Sequence, residues 1–217
     1  PGNDSMYGWD WWTNHIISPD VVSFETSSRA VAVVFTDSSH DATVTGEGID
    51  HIRGGKIVVG THYADRMTAH GNSAILVGLE GNDTLTGAYL AGGPGDDRLD
   101  GFSAGSEWDD GDETADFYSA TGPVEVDLGA GRATGDGNDT LIGIPRAIGS
   151  TYADVLTGST EGNSLHGLEG DDRLQHVAGI LVAFHEARIH EVDFVESTSP
   201  VVAPAVTVNG VPVDLTP

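Results

Sequence analysis

Apolar residues recur along this chain every nine positions. Met67, Leu76 and Leu85 form one series, and Leu156, Leu165 and Leu174 form another. Turn-forming residues keep the same step. Asp154, Asn163 and Asp172 are nine apart, and Asp65 and Asp83 lie two such steps apart. This period suits neither the 3.6-residue repeat of a helix nor the alternation of a long hairpin strand. It suits a six-residue turn followed by a three-residue strand whose central side chain points inward. Two such units close one coil of eighteen residues, and successive coils stack as parallel strands about 4.8 Å apart. The turns favour glycine, which tolerates φ > 0 and close backbone approach, and that much glycine disfavours helix.

A longer repeat contains the shorter one. Thr45–Leu85 and Thr134–Leu174 align without a gap at an offset of 89, with 17 identities over 41 positions. Gly46 and Gly135, Asp50 and Asp139, Tyr63 and Tyr152, and Asp65 and Asp154 are among the matched pairs. Upstream, Ala30–Phe35 resembles Pro123–Leu128 more loosely, with a shift of a few residues. The fold expected is all-β: a parallel β-roll or irregular right-handed β-helix, built from two related halves of about 89 residues and followed by a small C-terminal strand region.

Residues 92–100 read Gly-Gly-Pro-Gly-Asp-Asp-Arg-Leu-Asp. They fit Gly-Gly-x-Gly-x-Asp-x-U-x, with U apolar, at every fixed position. Residues 45–53 and 134–142 place Thr at position one, and residues 78–86 and 167–175 place Leu at position two. Over roughly residues 45–101 and 134–175 the chain resembles the RTX, or hemolysin-type, calcium-binding nonapeptide repeats. The resemblance implies that aspartates at position six and turn carbonyls bind Ca2+ between stacked turns. Carried onto this sequence, it implies metal-binding roles for Asp50, Asp83, Asp97, Asp139 and Asp172. Asp65 and Asp154 sit in degenerate Tyr-Ala-Asp repeats but pair one coil away with Asp83 and Asp172. Asn163 at the same turn position, and Gly93 and Gly95 in the full-match turn, complete the set. Two departures stand out: Asp83 and Asp97 are fourteen apart rather than eighteen, and residues 102–115 break the period.

The charge agrees with this chemistry. There are 34 Asp+Glu against 9 Lys+Arg, a formal net charge of −25. A field of that sign repels nucleic acid and anionic lipid and attracts cations. Calcium is a hard ion wanting six to eight oxygens, which Asp carboxylates and turn carbonyls supply. There is no cysteine to staple the fold. No apolar run approaches the roughly 20 residues of a membrane span, and no signal peptide opens the chain, which starts at Pro1 and reads as processed or as a piece of something longer.

Other clusters weigh less. His185-Glu186-Ala187-Arg188-Ile189-His190 spaces its histidines by five, whereas a zinc-protease helix needs i and i+4. Trp9, Trp11 and Trp12 read as a cap over the open end of the coil, with sugar stacking as the rival. Glu107, Asp109, Asp110, Asp112, Glu113 and Asp116 read as a solvated acidic loop between the two copies, with an additional calcium site as the rival. No Ser-His-Asp order, P-loop or dinucleotide fingerprint is found, so the chain reads as non-enzymatic.

The expected organisation is a partial repeat and aromatic cap over 1–17, a first half over 18–101, an acidic loop and second half over 102–175, and a C-terminal cap, linker or secretion segment over 176–217. The expected function is that of a bacterial protein, secreted or at the cell surface, that folds on binding calcium and serves a surface, adhesive or scaffold role. The rival is an accessory calcium-binding fragment of a larger secreted enzyme, either polysaccharide-modifying or a protease. An extracellular glycan, another protein or a second copy of the chain is the partner class left open.

Overall fold

The computed structural model describes residues 5–7, 21–35, 41–46, 48–53, 57–70, 74–102, 112–176, 181–185, 191–194, 207–208 and 211–212. Among them there is no helix. The strands of the first part are β1 (Ser5–Tyr7), β2 (Val21–Ser23), β3 (Ala32–Phe35), β4 (Asp41–Thr45), β5 (Ile49–Arg53), β6 (Ile57–Val59), β7 (Arg66–Thr68), β8 (Ile75–Val77), β9 (Thr84–Thr86), β10 (Tyr89–Ala91) and β11 (Arg98–Asp100). The next are β12 (Thr114–Asp116), β13 (Glu125–Asp127), β14 (Arg132–Thr134), β15 (Asn138–Ile142), β16 (Arg146–Ile148), β17 (Val155–Thr157), β18 (Asn163–Leu168) and β19 (Arg173–His176). The last are β20 (Leu181–His185), β21 (Glu191–Phe194), β22 (Thr207–Val208) and β23 (Val211–Pro212).

Most are the three-residue strands that the nine-residue period predicts, and β2, β6–β14, β16 and β17 each bury their central side chain. β7, β9, β17 and their neighbours stack in parallel. Leu85 and Leu174 are buried to 0% and 1% exposure, while their neighbours Thr84 and Arg173 are half-buried and exposed. Met67, Leu85, Leu99 and Leu141 form a ladder inside the larger sheet. Val58, Leu76, Leu90, Ala115, Ala147 and Leu165 form one inside the smaller sheet. The two ladders belong to one core. Burying a Leu or Val in it stabilises by about 1.5–3 kcal/mol.

Among the described residues the larger sheet has 13 strands and the smaller has 8. The larger runs β1-β5-β4-β3-β7-β9, then β11-β15-β14-β13-β17-β19, and ends in β21. β5 and β15, and likewise β7 and β17, start 89 residues apart and hold the same place in the two runs. The nine-residue period did not foretell the antiparallel pairings. β4 pairs antiparallel with both β3 and β5, and β14 with both β13 and β15. Their alternation is strictly local, inward residues such as Ala42 and Val44 being separated by half-buried ones, and a local pattern does not say which neighbour a strand will take.

Two more differences from the sequence reading concern its interruptions. Residues 102–115 leave the period, yet β12 returns to the smaller sheet between β10 and β16. Past residue 176, β20 and β21 continue the two sheets, with Ala183 beside Leu165 and Val192 beside Leu174, one coil further on. Trp9, Trp11 and Trp12, residues 103–111 and residues 186–190 lie outside the described residues.

Candidate metal centre

The turns that lead into the larger sheet lie one above another along one edge. Residues 60–65, 78–83 and 92–97 precede β7, β9 and β11, and residues 149–154 precede β17. Each is six residues long and closes on an aspartate two places before an inward apolar residue. That spacing fixes the carboxylate at the strand entrance, pointing along the stack.

There the aspartates join in a ladder. The Val31 N–H donates to Asp65 Oδ1 at 2.7 Å, and the Asp65 N–H to Asp83 Oδ1 at 2.7 Å. The Asp83 N–H donates to Asp97 Oδ1 at 2.8 Å, and the Asp97 N–H to Asp139 Oδ1 at 2.9 Å. A second run has the Val124 N–H donating to Asp154 Oδ1 at 2.8 Å and the Asp154 N–H to Asp172 Oδ1 at 2.9 Å. None of these six aspartates is more than 4% exposed. The irregular spacings leave the ladder unbroken, since it crosses a separation of 14 residues at Asp83–Asp97 and of 42 at Asp97–Asp139.

The ladder satisfies one oxygen of each carboxylate, and the other oxygen divides the turns. Asp83 Oδ2 and Asp97 Oδ2 are buried with no hydrogen-bond partner among the described residues. A buried anionic oxygen without a donor is costly. Burial pushes the Asp83 and Asp97 carboxyls up to about 7; the bonds from Asp65 and Asp83 N–H oppose this, and the neighbouring carboxylates add to it. Asp139 rises to about 6, again chiefly through burial. In the Tyr-Ala-Asp turns the second oxygen is occupied. Asp65 Oδ2 accepts from the Thr61 N–H at 2.6 Å, and Asp154 Oδ2 from the Ser150 N–H at 2.6 Å. The Thr61 and Ser150 hydroxyls also reach Oδ1 of the same aspartates, at 2.9 and 2.7 Å.

Backbone oxygens complete the edge. Gly93 has φ of 91° and Gly95 of 153°. A Cβ on Gly95 would lie 1.7 Å from the Gly81 carbonyl oxygen, and one on Gly93 would lie 2.2 Å from that of Leu79. Carbonyls of one turn are thus aimed at the glycines of the next, and only glycine leaves room for them. Leu79 and Leu168 hold position two with φ of 76° and 64°, a conformation that costs a side-chain-bearing residue roughly 1–2 kcal/mol. Among the described residues no three His, Cys, Asp or Glu side chains gather to hold an ion. A cation here would therefore draw on one or two carboxylates and several carbonyls, a hard all-oxygen donor set that fits calcium.

Two predicted residues remain, Asp50 and Asn163. Asp50 is half-buried in β5, opposite Val44. Ile52 pairs with Met6 as Leu141 pairs with Leu99, but residue 4, the counterpart of Asp97, lies outside the described residues. Asn163 stands on the opposite edge, at the entrance to the smaller sheet. Its Oδ1 accepts from the Ser159 N–H at 2.6 Å, and its amide donates to the Pro145 carbonyl at 3.3 Å. Nine residues carry the chain half a coil, so Asn163 cannot share an edge with Asp154 and Asp172. Sequence reasoning took Glu113 as part of a solvated loop. It is fully buried, because it too lies two residues before an inward side chain, Ala115. It also missed a position-five ladder, in which the Asp96 N–H donates to Asn82 Oδ1 at 3.1 Å and the Asn138 N–H to Asp96 Oδ1 at 2.9 Å. The run of Asx residues at position five was the available signal.

Comparison with protein families finds the RTX calcium-binding nonapeptide repeat in four copies, over residues 70–88, 89–103 and 148–179. These stretches take in Asp83, Asp97, Asp154, Asn163 and Asp172. No curated protein matches the chain significantly. Between residues 70 and 179 this chain carries RTX nonapeptide repeats, and the ligand of these repeats is calcium.

Proposed function

We propose that the chain is a calcium-responsive module of a secreted bacterial protein, loose where calcium is scarce and rigid outside the cell, where it serves as a surface, adhesive or scaffold element. The observation that carries this reading is the buried edge on which Asp83 and Asp97 each hold an oxygen without a donor. Without a cation those oxygens oppose folding, the more so at a net charge of −25. At millimolar calcium, sites of about 10⁻⁴–10⁻³ M affinity fill, and binding to the folded state alone stabilises it by mass action. Asp83, Asp97, Asp139 and Asp172 are the proposed carboxylate ligands. The carbonyls of the 78–83 and 92–97 turns, Gly93 and Gly95 included, are the proposed backbone ligands.

Circular dichroism in chelator and in millimolar calcium tests the reading. Strand signal and melting temperature should rise sharply with calcium and little with magnesium, which demands tighter octahedral geometry. Identical spectra and melting in chelator and calcium would sink it.

A further inference from the structure

We infer that position two of each turn decides whether the turn takes a cation: Thr or Ser there caps the aspartate from within the protein, whereas Gly or Leu there leaves it to calcium. The inference rests on the calcium reading above and sharpens it by dividing the aspartates into two classes.

The division is drawn by hydrogen bonds. The Asp65 carboxylate has three donors: the Val31 N–H at 2.7 Å, the Thr61 hydroxyl at 2.9 Å and the Thr61 N–H at 2.6 Å. Asp154 has the same three, from the Val124 N–H at 2.8 Å, the Ser150 hydroxyl at 2.7 Å and the Ser150 N–H at 2.6 Å. Each hydroxyl in turn accepts from the N–H two residues on, Tyr63 in one turn and Tyr152 in the other, at 3.0 Å. That bond occupies a hydroxyl lone pair and leaves the single O–H proton for the aspartate. A third turn follows the pattern on the opposite edge, where Ser159 offers its N–H and its hydroxyl to Asn163 Oδ1 at 2.6 and 3.2 Å. There the residue at position six carries no charge, and the cap still forms.

The turns with Leu79 and Gly93 at position two have no hydroxyl to offer. Their backbone at position two is turned to positive φ. Asp83 and Asp97 each receive one ladder bond at Oδ1, from the Asp65 and Asp83 N–H groups, and Oδ2 stays unpartnered although the residues are only 1% and 2% exposed. An oxygen in that state needs a positive partner, and the carbonyls aimed across the same turns supply the remaining coordination. Gly135 and Leu168 place the Asp139 and Asp172 turns in the same class. The tyrosines at position four of the capped turns point the same way, because a turn carrying Tyr63 or Tyr152 lacks the glycine that admits a neighbouring carbonyl.

Calcium titration of the full chain by calorimetry, with single Asp→Asn variants, tests this. Asp83→Asn and Asp97→Asn should each lose one ion or weaken binding by about tenfold or more. Asp65→Asn and Asp154→Asn should keep the ion count of the parent. Because Asp65→Asn also removes a hydrogen-bond acceptor and can unfold the coil, Thr61→Val and Ser150→Ala are titrated beside it. They should keep the ion count and lower the melting temperature in chelator. Loss of an ion in Thr61→Val, in Ser150→Ala or in a folded Asp65→Asn overturns the inference while leaving calcium binding intact. A parent chain that takes up no calcium overturns the calcium reading itself, a different and separately visible result.

Discussion

The two edges of the coil are built on one backbone plan and carry different chemistry. On the edge that enters the larger sheet, the residue two places before the inward apolar one is Asp50, Asp65, Asp83, Asp97, Asp139, Asp154 or Asp172, and Val31 and Val124 before β3 and β13. On the edge that enters the smaller sheet, the same place holds Ala74, Ala88, Glu113, Pro145 or Asn163. The backbone bonds match. Arg98 N–H donates to the Asp83 carbonyl at 2.8 Å, and on the other edge Thr114 N–H donates to the Ala88 carbonyl at 2.8 Å. Full turns recur more often on the first edge. The turns before β7, β9, β11 and β17 are all six residues long, whereas β9 and β10 are joined by Gly87 and Ala88 alone and β15 and β16 by residues 143–145. A two-residue link cannot form the loop whose carbonyls face the next coil. That short link also explains why Asp83 and Asp97 are fourteen apart: the missing residues come out of the plain edge, and the charged edge keeps its register. Link length alone does not place the carboxylates, since buried Asp139 follows the three-residue link 135–137 and the plain edge keeps a full turn that closes on Asn163.

The largest consequence concerns pH. In chelator, Asp83, Asp97 and Asp139 hold their protons more tightly folded than unfolded, with carboxyls at about 7, about 7 and about 6 against an ordinary 3.8. Their contribution to stability is complete below the ordinary value and is lost as pH climbs through 6 and 7. The calcium-free chain should therefore melt higher at pH 5 than at pH 8, and calcium at pH 8 should restore what the lost protons gave. A chelator melting temperature that is flat from pH 5 to 8 would remove the charged edge from the energetics.

The core should not distinguish the edges. Leu85→Ala in the larger sheet and Leu165→Ala in the smaller should each cost about 2–5 kcal/mol in calcium, through lost transfer energy and the cavity left behind. Thr84→Ala, beside Leu85 but facing outward, should stay within about 0.5 kcal/mol. Denaturant titration of the three variants measures this, and a Leu165→Ala cost near that of Thr84→Ala would mean that the smaller sheet is not packed as the larger one is.

The smallest effect separates the edges most directly. Asp172→Asn should weaken calcium binding by about tenfold, which is about 1.4 kcal/mol. Glu113→Gln, equally buried but on the plain edge, should leave calcium binding unchanged in calorimetry. If both weaken it alike, the ions are not confined to one edge.

Much of this architecture was legible along the chain. A nine-residue apolar period can be met only by short strands and turns, because inward side chains must recur at each pass, and so Leu85, Leu174 and the strands around them could be placed from sequence. The position-six aspartates were legible too, since their turn chemistry is local. Tertiary structure alone decided which aspartate rests on which. Asp139 meets Asp97 across 42 residues only because the chain leaves after β11 and returns through the β13–β15 hairpins, and no local pattern encodes where an excursion comes back. The same holds for the antiparallel strands and for the burial of Glu113, whereas the place of Asn163 on the far edge follows from the nine-residue half coil. It holds above all for the Thr61 and Ser150 hydroxyls, whose role appears only when the turn brings them onto a carboxylate four residues away. Periodicity fixes which side chains go inside, because burial is decided residue by residue. The partners of a buried charge are decided by packing, which brings together groups far apart in the sequence.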